Sequence, residues 1–122
     1  MGDPNKVRDI VYVKDCTQII EKCISKKNAK SGKYNVGTGV GVSLENQIKG
    51  IVDIFSPKNA PSKIIYAPEK PSASEYIFDM SKTEQELGYS SQYDYIAYLQ
   101  DFKKEMEIQR FVKLWGKDQI NK

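Results

Sequence analysis

Apolar and polar positions alternate near the start of the chain, over residues 8–13, where branched and aromatic side chains are frequent. This alternation predicts a β-strand. The apolar spacing then changes to that of a helix, for which Asp15 is the predicted N-cap. The predicted inner face of this helix consists of Ile19, Ile20, Cys23 and Ile24.

Short strands and helices continue to alternate along the rest of the chain. Extended segments are predicted at residues 33–36, 63–66 and 75–78. Further helices are predicted to begin at about Ser43, at Ser81 and near Tyr93. Ser81 and Glu84 have the spacing of a capping box, and Gly88 is the expected end of that helix. The pattern predicts an α/β fold, a small mixed domain of short strands alternating with helices and ending in a long helix.

A glycine-rich bend at residues 37–41 follows one predicted strand and precedes a helix, as a dinucleotide-binding turn does. The spacing G-x-G-x-x-G fails there, because counting from Gly37 places Val42 at the third glycine position. A tight turn that lets the helix pack closely on the strand is the simpler interpretation. No cofactor-binding residue is therefore predicted in this chain.

Tyr66 and Lys70 match the Tyr-x-x-x-Lys pattern of short-chain dehydrogenases. That pattern needs a helix, which brings residues four apart together so that the lysine lowers the pKa of the tyrosine. Pro68 lies between the two residues and Pro71 follows them, so a helix is not expected and the match is attributed to chance. No catalytic residue is predicted.

Composition narrows the classes of function. The chain has 122 residues, the size of one domain, with a net charge of +3 and 39% hydrophobic residues. Its lysines are dispersed, which argues against nucleic acid or a membrane surface as partners. There is no histidine, which excludes Ser-His and Cys-His nucleophile pairs and the common histidine-containing metal sites. Without an apolar leader or membrane-spanning run, a cytoplasmic location is expected.

Several segments, taken in order, resemble the C-terminal portion of the NAD-dependent epimerase/dehydratase family, the extended short-chain dehydrogenases that act on nucleotide sugars. These segments are R-D-I-V-Y-V-K-D at residues 8–15, K-Y-N-V-G-T-G at 33–39, D-M-S-K at 79–82 and E-L-G-Y at 86–89. The resemblance implies that residues 6–122 are a C-terminal, substrate-binding portion of that fold. Residues 1–5 would then be a linker or an added start.

The same resemblance implies that an N-terminal Rossmann domain, which binds NAD(P) and carries the catalytic tyrosine and lysine, is missing. The chain alone is then expected to bind a nucleotide-diphosphate sugar but to be inactive. It is also expected to self-associate, because the predicted strand at residues 33–36 would otherwise leave an edge that the missing domain covers. Epimerase, dehydratase and decarboxylase activities, that is isomerase or lyase chemistry, all stay open for the parent enzyme.

Three substrate-binding residues follow from the family resemblance. Arg8 falls on an arginine that binds the diphosphate, although a salt bridge to Asp9 or Asp15 is the structural alternative. Lys70 falls near a second arginine of the family and could neutralise phosphate as a point charge. Tyr76 is assigned to the sugar side of the pocket, with a core or cross-strand position as its alternative.

A different class of function is also consistent with the sequence. The chain could be a stand-alone module that keeps an epimerase-like fold and binds another protein without chemistry. This alternative is favoured if Met1 is the native start, whereas the leading hypothesis requires an upstream dinucleotide-binding domain.

Overall fold

A computed structural model describes residues 3–27, 30–67 and 74–108, so Lys70 and the C-terminal residues lie outside the described part. The elements are β1 (Val7–Asp9), α1 (Val13–Ser25), β2 (Gly41–Ser43), α2 (Leu44–Phe55), α3 (Ser81–Leu87) and α4 (Tyr95–Ile108). This architecture confirms the predicted small α/β fold of short strands and helices, with the long helix α4 as the last described element.

The sheet is small and has β1 in its middle. β1 and β2 are antiparallel, with Arg8 opposite Val42, and Tyr76 forms an isolated parallel bridge with Arg8 on the other edge of β1. β1 is shorter than the predicted strand because Tyr12 is already the N-cap of α1. Asp15 is not the N-cap that the sequence predicts: it lies inside the first turn and is fully buried.

Two of the predicted strands are not formed within the described residues. Residues 33–36 and 63–66 do not form strands, and β2 begins at Gly41, the last residue of the glycine-rich bend. Gly39 alone in that bend has a positive φ, 74°, which favours glycine at this position. In the part of the chain that the structure describes, residues 33–36 have no neighbouring strand to pair with, and strand formation depends on such a neighbour.

The helix ends follow local sequence rules in most cases. Ser43 is the N-cap of α2 and accepts a hydrogen bond from the backbone N–H of Asn46 at 3.2 Å. Gly88 ends α3 in the left-handed conformation, as predicted. The predicted capping box at Ser81 is wrong, because Met80 is the N-cap and the Asp79 carboxylate accepts hydrogen bonds from Ser81 instead.

The core lies where α1, α3 and the segment after α3 meet. Ile19, Met80, Leu87 and Tyr89 form one buried cluster, against which Tyr34 packs. A second contact joins α2 to α4, where Gly50 is buried beside Leu99. Small residues at such a crossing let two helices approach closely.

The predicted inner face of α1 is wrong for three of its four members. Ile19 is buried, but Ile20 is 57% exposed, Ile24 is 81% exposed and Cys23 is also exposed. The helix is thus rotated so that Asp15 and Ile19 face the core, and much of its apolar surface faces outward. Within the described residues, no helix is long and apolar enough to cross a membrane.

Candidate functional site

Arg8, the residue that the sequence singles out first, lies at the centre of the sheet. Residues paired across neighbouring strands place their side chains on the same face, so Tyr76, Arg8 and Val42 form one row. The guanidinium carbon of Arg8 lies 5.7 Å from the centre of the Tyr76 ring, within the range of a cation–π contact. Its Nε donates a hydrogen bond to the carbonyl oxygen of Ser74 at 3.2 Å.

The carboxylates that were alternative partners for Arg8 bind other groups. Asp9 points to the opposite face of β1, and Asp15 accepts hydrogen bonds from the segment that precedes α4. Among the residues that the structure describes, Arg8 takes part in no ion pair. No carboxylate of the described residues thus competes for its terminal nitrogens, and a guanidinium binds two phosphate oxygens at once with favourable geometry.

Asp9 organises the turn beside this row. One carboxylate oxygen accepts hydrogen bonds from the backbone N–H and the hydroxyl of Thr38, at 2.9 and 2.6 Å. The other oxygen accepts from the backbone N–H groups of Gly39 at 2.9 Å and Phe78 at 3.2 Å. A single buried carboxylate thus joins β1, the glycine-rich turn and the segment after Tyr76. It fixes the backbone that carries Arg8.

Tyr76 is held beside Arg8 by backbone and side-chain contacts. Its carbonyl oxygen accepts from the N–H of Asp9 at 3.0 Å, and its N–H donates to the carbonyl oxygen of Val7 at 3.4 Å. The preceding residue, Glu75, binds the Lys6 ammonium at 2.8 Å. Tyr76 itself is 45% exposed, which places it in a cross-strand position and not in the core.

Glu75 is a site residue that sequence reasoning missed. Its carboxylate also accepts from the backbone N–H of Val7 at 3.3 Å, so it pins the segment before Tyr76 onto β1. The hydrogen bond from Lys6 lowers the pKa of Glu75, and the reciprocal contact raises the pKa of Lys6. No local signal in the sequence could have paired residues so far apart along the chain.

A groove of about 780 Å³ lies between α2, the glycine-rich turn and the segment before α4. Val42 belongs both to its lining and to the row with Arg8, whereas Arg8 and Tyr76 themselves are not among the lining residues. This volume is in the range of small-molecule sites. Its lining includes Ile10, Val40, Val42, Asn46, Gln92 and Tyr95. This groove could not be predicted from the sequence, because its walls come from segments that are distant along the chain.

The remaining candidate residues do not extend the site. Lys70 lies outside the described residues, so its position relative to Arg8 stays a prediction. Tyr66 is half exposed in an irregular segment and donates a hydrogen bond to Glu45 at 3.3 Å, so it lies on no helix that would align it with Lys70. No group of three metal-binding side chains occurs in the part of the chain that the structure describes.

No family model matches this sequence, and no curated protein matches it. Solved structures do match. The UDP-glucuronic acid 4-epimerase of Bacillus cereus, in complex with NAD, is 23% identical with a TM-score of 0.63, and the match covers 86% of this chain and 32% of that chain. The dTDP-glucose 4,6-dehydratase of Bacillus anthracis, also in complex with NAD, is 22% identical with a TM-score of 0.66, covering 89% and 34%.

A third similar structure is the UDP-glucose 4-epimerase of Thermotoga maritima with UDP-glucose. It is 23% identical, with a TM-score of 0.64 and coverage of 87% of this chain and 34% of that chain. The chain thus spans about a third of the length of the enzymes it matches. Identities this low establish a likeness of fold. The chain has the fold of one part of these NAD-dependent nucleotide-sugar epimerases and dehydratases.

Proposed function

We propose that this chain is the C-terminal, nucleotide-sugar-binding portion of an NAD-dependent sugar epimerase or dehydratase. The observation that carries the proposal is the match to one third of several such enzymes, one of them solved with UDP-glucose. The geometry adds a chemical reason, since Arg8 has no carboxylate partner in the described residues and its cross-strand neighbour Val42 lines a groove. In this proposal residues 6–122 form the portion, and it resides in the cytoplasm.

Arg8 is assigned to the diphosphate. Its planar guanidinium has two terminal nitrogens that bind oxygens of adjacent phosphates, and Tyr76 limits its motion on one side. The groove beside Val42 receives one of the groups attached to the diphosphate. Tyr76 is half exposed, so its ring and hydroxyl can contact the sugar, as the family resemblance implies. Lys70 is proposed as a second positive charge near the phosphates.

The described residues do not fit NAD(P) itself. A dinucleotide-binding turn presents free backbone N–H groups to the pyrophosphate. In the glycine-rich turn of this chain, the N–H groups of Thr38 and Gly39 already donate to the Asp9 carboxylate. A pyrophosphate would meet that negative charge. We therefore assign NAD(P) to the missing N-terminal Rossmann domain, and with it the catalytic residues, so that the chain alone is inactive.

Titration calorimetry with UDP-glucose and dTDP-glucose tests this assignment. The sample is the polypeptide that the native coding sequence specifies, with whatever precedes Lys6, alongside the 122-residue chain. We expect Arg8→Ala to weaken binding about 10- to 100-fold, the effect of losing charge-assisted hydrogen bonds. Arg8→Lys should recover only part of the affinity, because an ammonium cannot bind two oxygens as a planar fork.

Lys58→Ala is the matched control, since Lys58 is an exposed cation in the turn after α2 and outside the groove lining. The Lys58→Ala variant should bind UDP-glucose and dTDP-glucose with the same affinity as the unsubstituted protein. Equal losses in Lys58→Ala and Arg8→Ala would mean that only net charge attracts the ligand. An upstream coding sequence without a G-x-G-x-x-G turn and a helical Tyr-x-x-x-Lys would refute the proposed parent enzyme.

A further inference from the structure

Helices α2 and α4 carry exposed apolar side chains near the place where their ends meet. The rings of Phe55 on α2 and Phe102 on α4 contact each other, with their centres 6.2 Å apart. Ile51 precedes Phe55 by four residues and Met106 follows Phe102 by four, so each pair lies on one side of its helix. Ile51, Phe102 and Met106 are 44%, 44% and 50% exposed. Together with Phe55 they form one surface, the apolar face, of the kind that marks an interaction site.

The apolar face lies toward the C-terminal end of both helices, because α2 and α4 run in the same direction. Near their beginnings, the Tyr95 hydroxyl donates a hydrogen bond to the carbonyl oxygen of Gln47 at 3.0 Å. Near the end of α2, the Lys103 ammonium donates to the carbonyl oxygen of Ile54 at 2.8 Å. α4 then continues beyond the end of α2. Its last residue is separated from Phe102 by six residues of helix, or about 9 Å.

The segment that precedes β1 enters at the other end of α2. The N–H groups of Leu44 and Glu45 donate to the carbonyl oxygens of Lys6 and Pro4, at 2.8 and 3.0 Å. The helix that separates this entry point from Phe55 is about 16 Å long. A domain that precedes Pro4 is thus attached at the end of α2 away from the apolar face, whereas the sequence after α4 begins beside it.

The sequence after α4 is rich in large apolar side chains close to the end of that helix. These are Phe111, Val112, Leu114 and Trp115, with Gly116 after them. Three extended residues span up to about 10 Å, so residues 111–115 are long enough to reach from Ile108 back to Phe102. A covalently attached segment has an effective concentration in the millimolar range, well above that of a second molecule in a dilute sample. Attachment therefore favours this segment over a second copy as the occupant of the apolar face.

We propose that residues 111–115 of this chain pack on the apolar face and cover it. Burying Phe111 and Trp115 there removes apolar surface from water on both sides of the contact. The proposal does not depend on nucleotide-sugar binding, because it uses only the paired helices α2 and α4 and the sequence that follows α4.

Trp115 is the only tryptophan of the chain, so its fluorescence reports on this contact. In the 122-residue chain at low concentration, its emission should lie at shorter wavelength than in the urea-unfolded chain, and acrylamide should quench it several-fold less. Phe102→Glu and Met106→Glu should each shift the emission to longer wavelength and raise quenching toward the unfolded value, because they place a charge in the apolar face. Met106→Glu does this without removing the contact between the Phe55 and Phe102 rings.

Ile24→Glu is the matched control, since Ile24 is an exposed apolar residue of α1 outside the apolar face. It should leave the emission and the quenching of Trp115 unchanged, and circular dichroism checks that each variant remains folded. Trp115 emission equal to that of the unfolded chain would overturn the proposal. Emission at shorter wavelength that neither substitution in the apolar face changes would also overturn it, because the segment would then pack elsewhere. A shift that appears only as the concentration rises, with a dimer in sedimentation, would identify a second copy as the occupant and refute the proposal.

Discussion

Single carboxylates determine much of this structure at the scale of residues. Asp15 is fully buried and accepts hydrogen bonds from the Ser91 hydroxyl and from the backbone N–H groups of Gln92 and Tyr93. Asp9 is 5% exposed and accepts four hydrogen bonds from two other segments. Buried carboxylate oxygens need hydrogen-bond donors, and backbone N–H groups of other segments supply them here. Both residues therefore hold the backbone of distant segments in place.

Asp9→Asn should destabilise the protein by about 2 kcal/mol or more, because an amide has only one accepting oxygen. Its NH₂ group would face the backbone N–H groups of Gly39 and Phe78, or those of Thr38 if the amide is reversed. Urea denaturation monitored by circular dichroism measures the loss. The exposed Asp53→Asn should change the free energy of unfolding by less than about 0.5 kcal/mol. Similar effects of both substitutions would contradict this role for Asp9.

At the scale of elements, a polar cluster connects the start of α1 to the middle of α4. The Lys14 ammonium contacts Asp101 at 2.6 Å and Glu105 at 2.9 Å, and the Tyr12 hydroxyl donates to Asp101 at 2.8 Å. The hydrogen bonds to Asp101 and Glu105 raise the pKa of Lys14, and those from Lys14 and Tyr12 lower the pKa of Asp101. This cluster fixes the angle between the two helices near the N-cap of α1.

Burial, followed by the hydrogen bond to Asp101, raises the pKa of Tyr12 from 10.0 to about 12. A phenol with a raised pKa in the folded state stabilises that state fully below the unfolded value. The contribution is then lost as the pH rises from about 10 to about 12. Tyr12→Phe should lower the free energy of unfolding by about 1 kcal/mol at neutral pH. Across this alkaline range the variant should lose less stability than the unsubstituted protein.

Urea denaturation at pH 7, 9.5 and 11 checks the prediction for Tyr12. The control is Tyr66→Phe, which removes a hydroxyl from a half-exposed ring. The change in its free energy of unfolding with pH should match that of the unsubstituted protein. If Tyr12→Phe also parallels the parent between pH 9.5 and 11, the Tyr12 phenol does not contribute to the alkaline loss.

At the scale of the whole molecule, local features were predictable from sequence and distant contacts were not. Ser43 begins α2 and Gly88 ends α3, each through hydrogen bonds to residues three or four positions away. Both helix ends were predicted correctly. Asp15 and the outer face of α1 were predicted wrongly, because the partners of Asp15 lie more than 70 residues away and Ile20 has none in the described core. The fold class was predictable because short motifs occur in a recognisable order.

In the candidate site, too, residues within sequence motifs could be predicted, whereas contacts between distant segments could not. Arg8 and Tyr76 were proposed from family motifs, and the structure brings them together across a β-bridge. Their role in binding stays a proposal that titration tests. Glu75 and the groove could not be predicted, because each depends on segments that meet only after folding.

The four hydrogen bonds of Asp9 also constrain the order in which the protein is made. Asp9 is synthesised before two of its donor residues, since Thr38 and Phe78 emerge from the ribosome 29 and 69 residues later. Until Phe78 is synthesised, the Asp9 carboxylate lacks one of its donors and cannot be buried at low cost. β1 therefore completes its contacts late in translation, and a nascent chain that stalls before residue 78 exposes the Arg8 strand to proteases and chaperones.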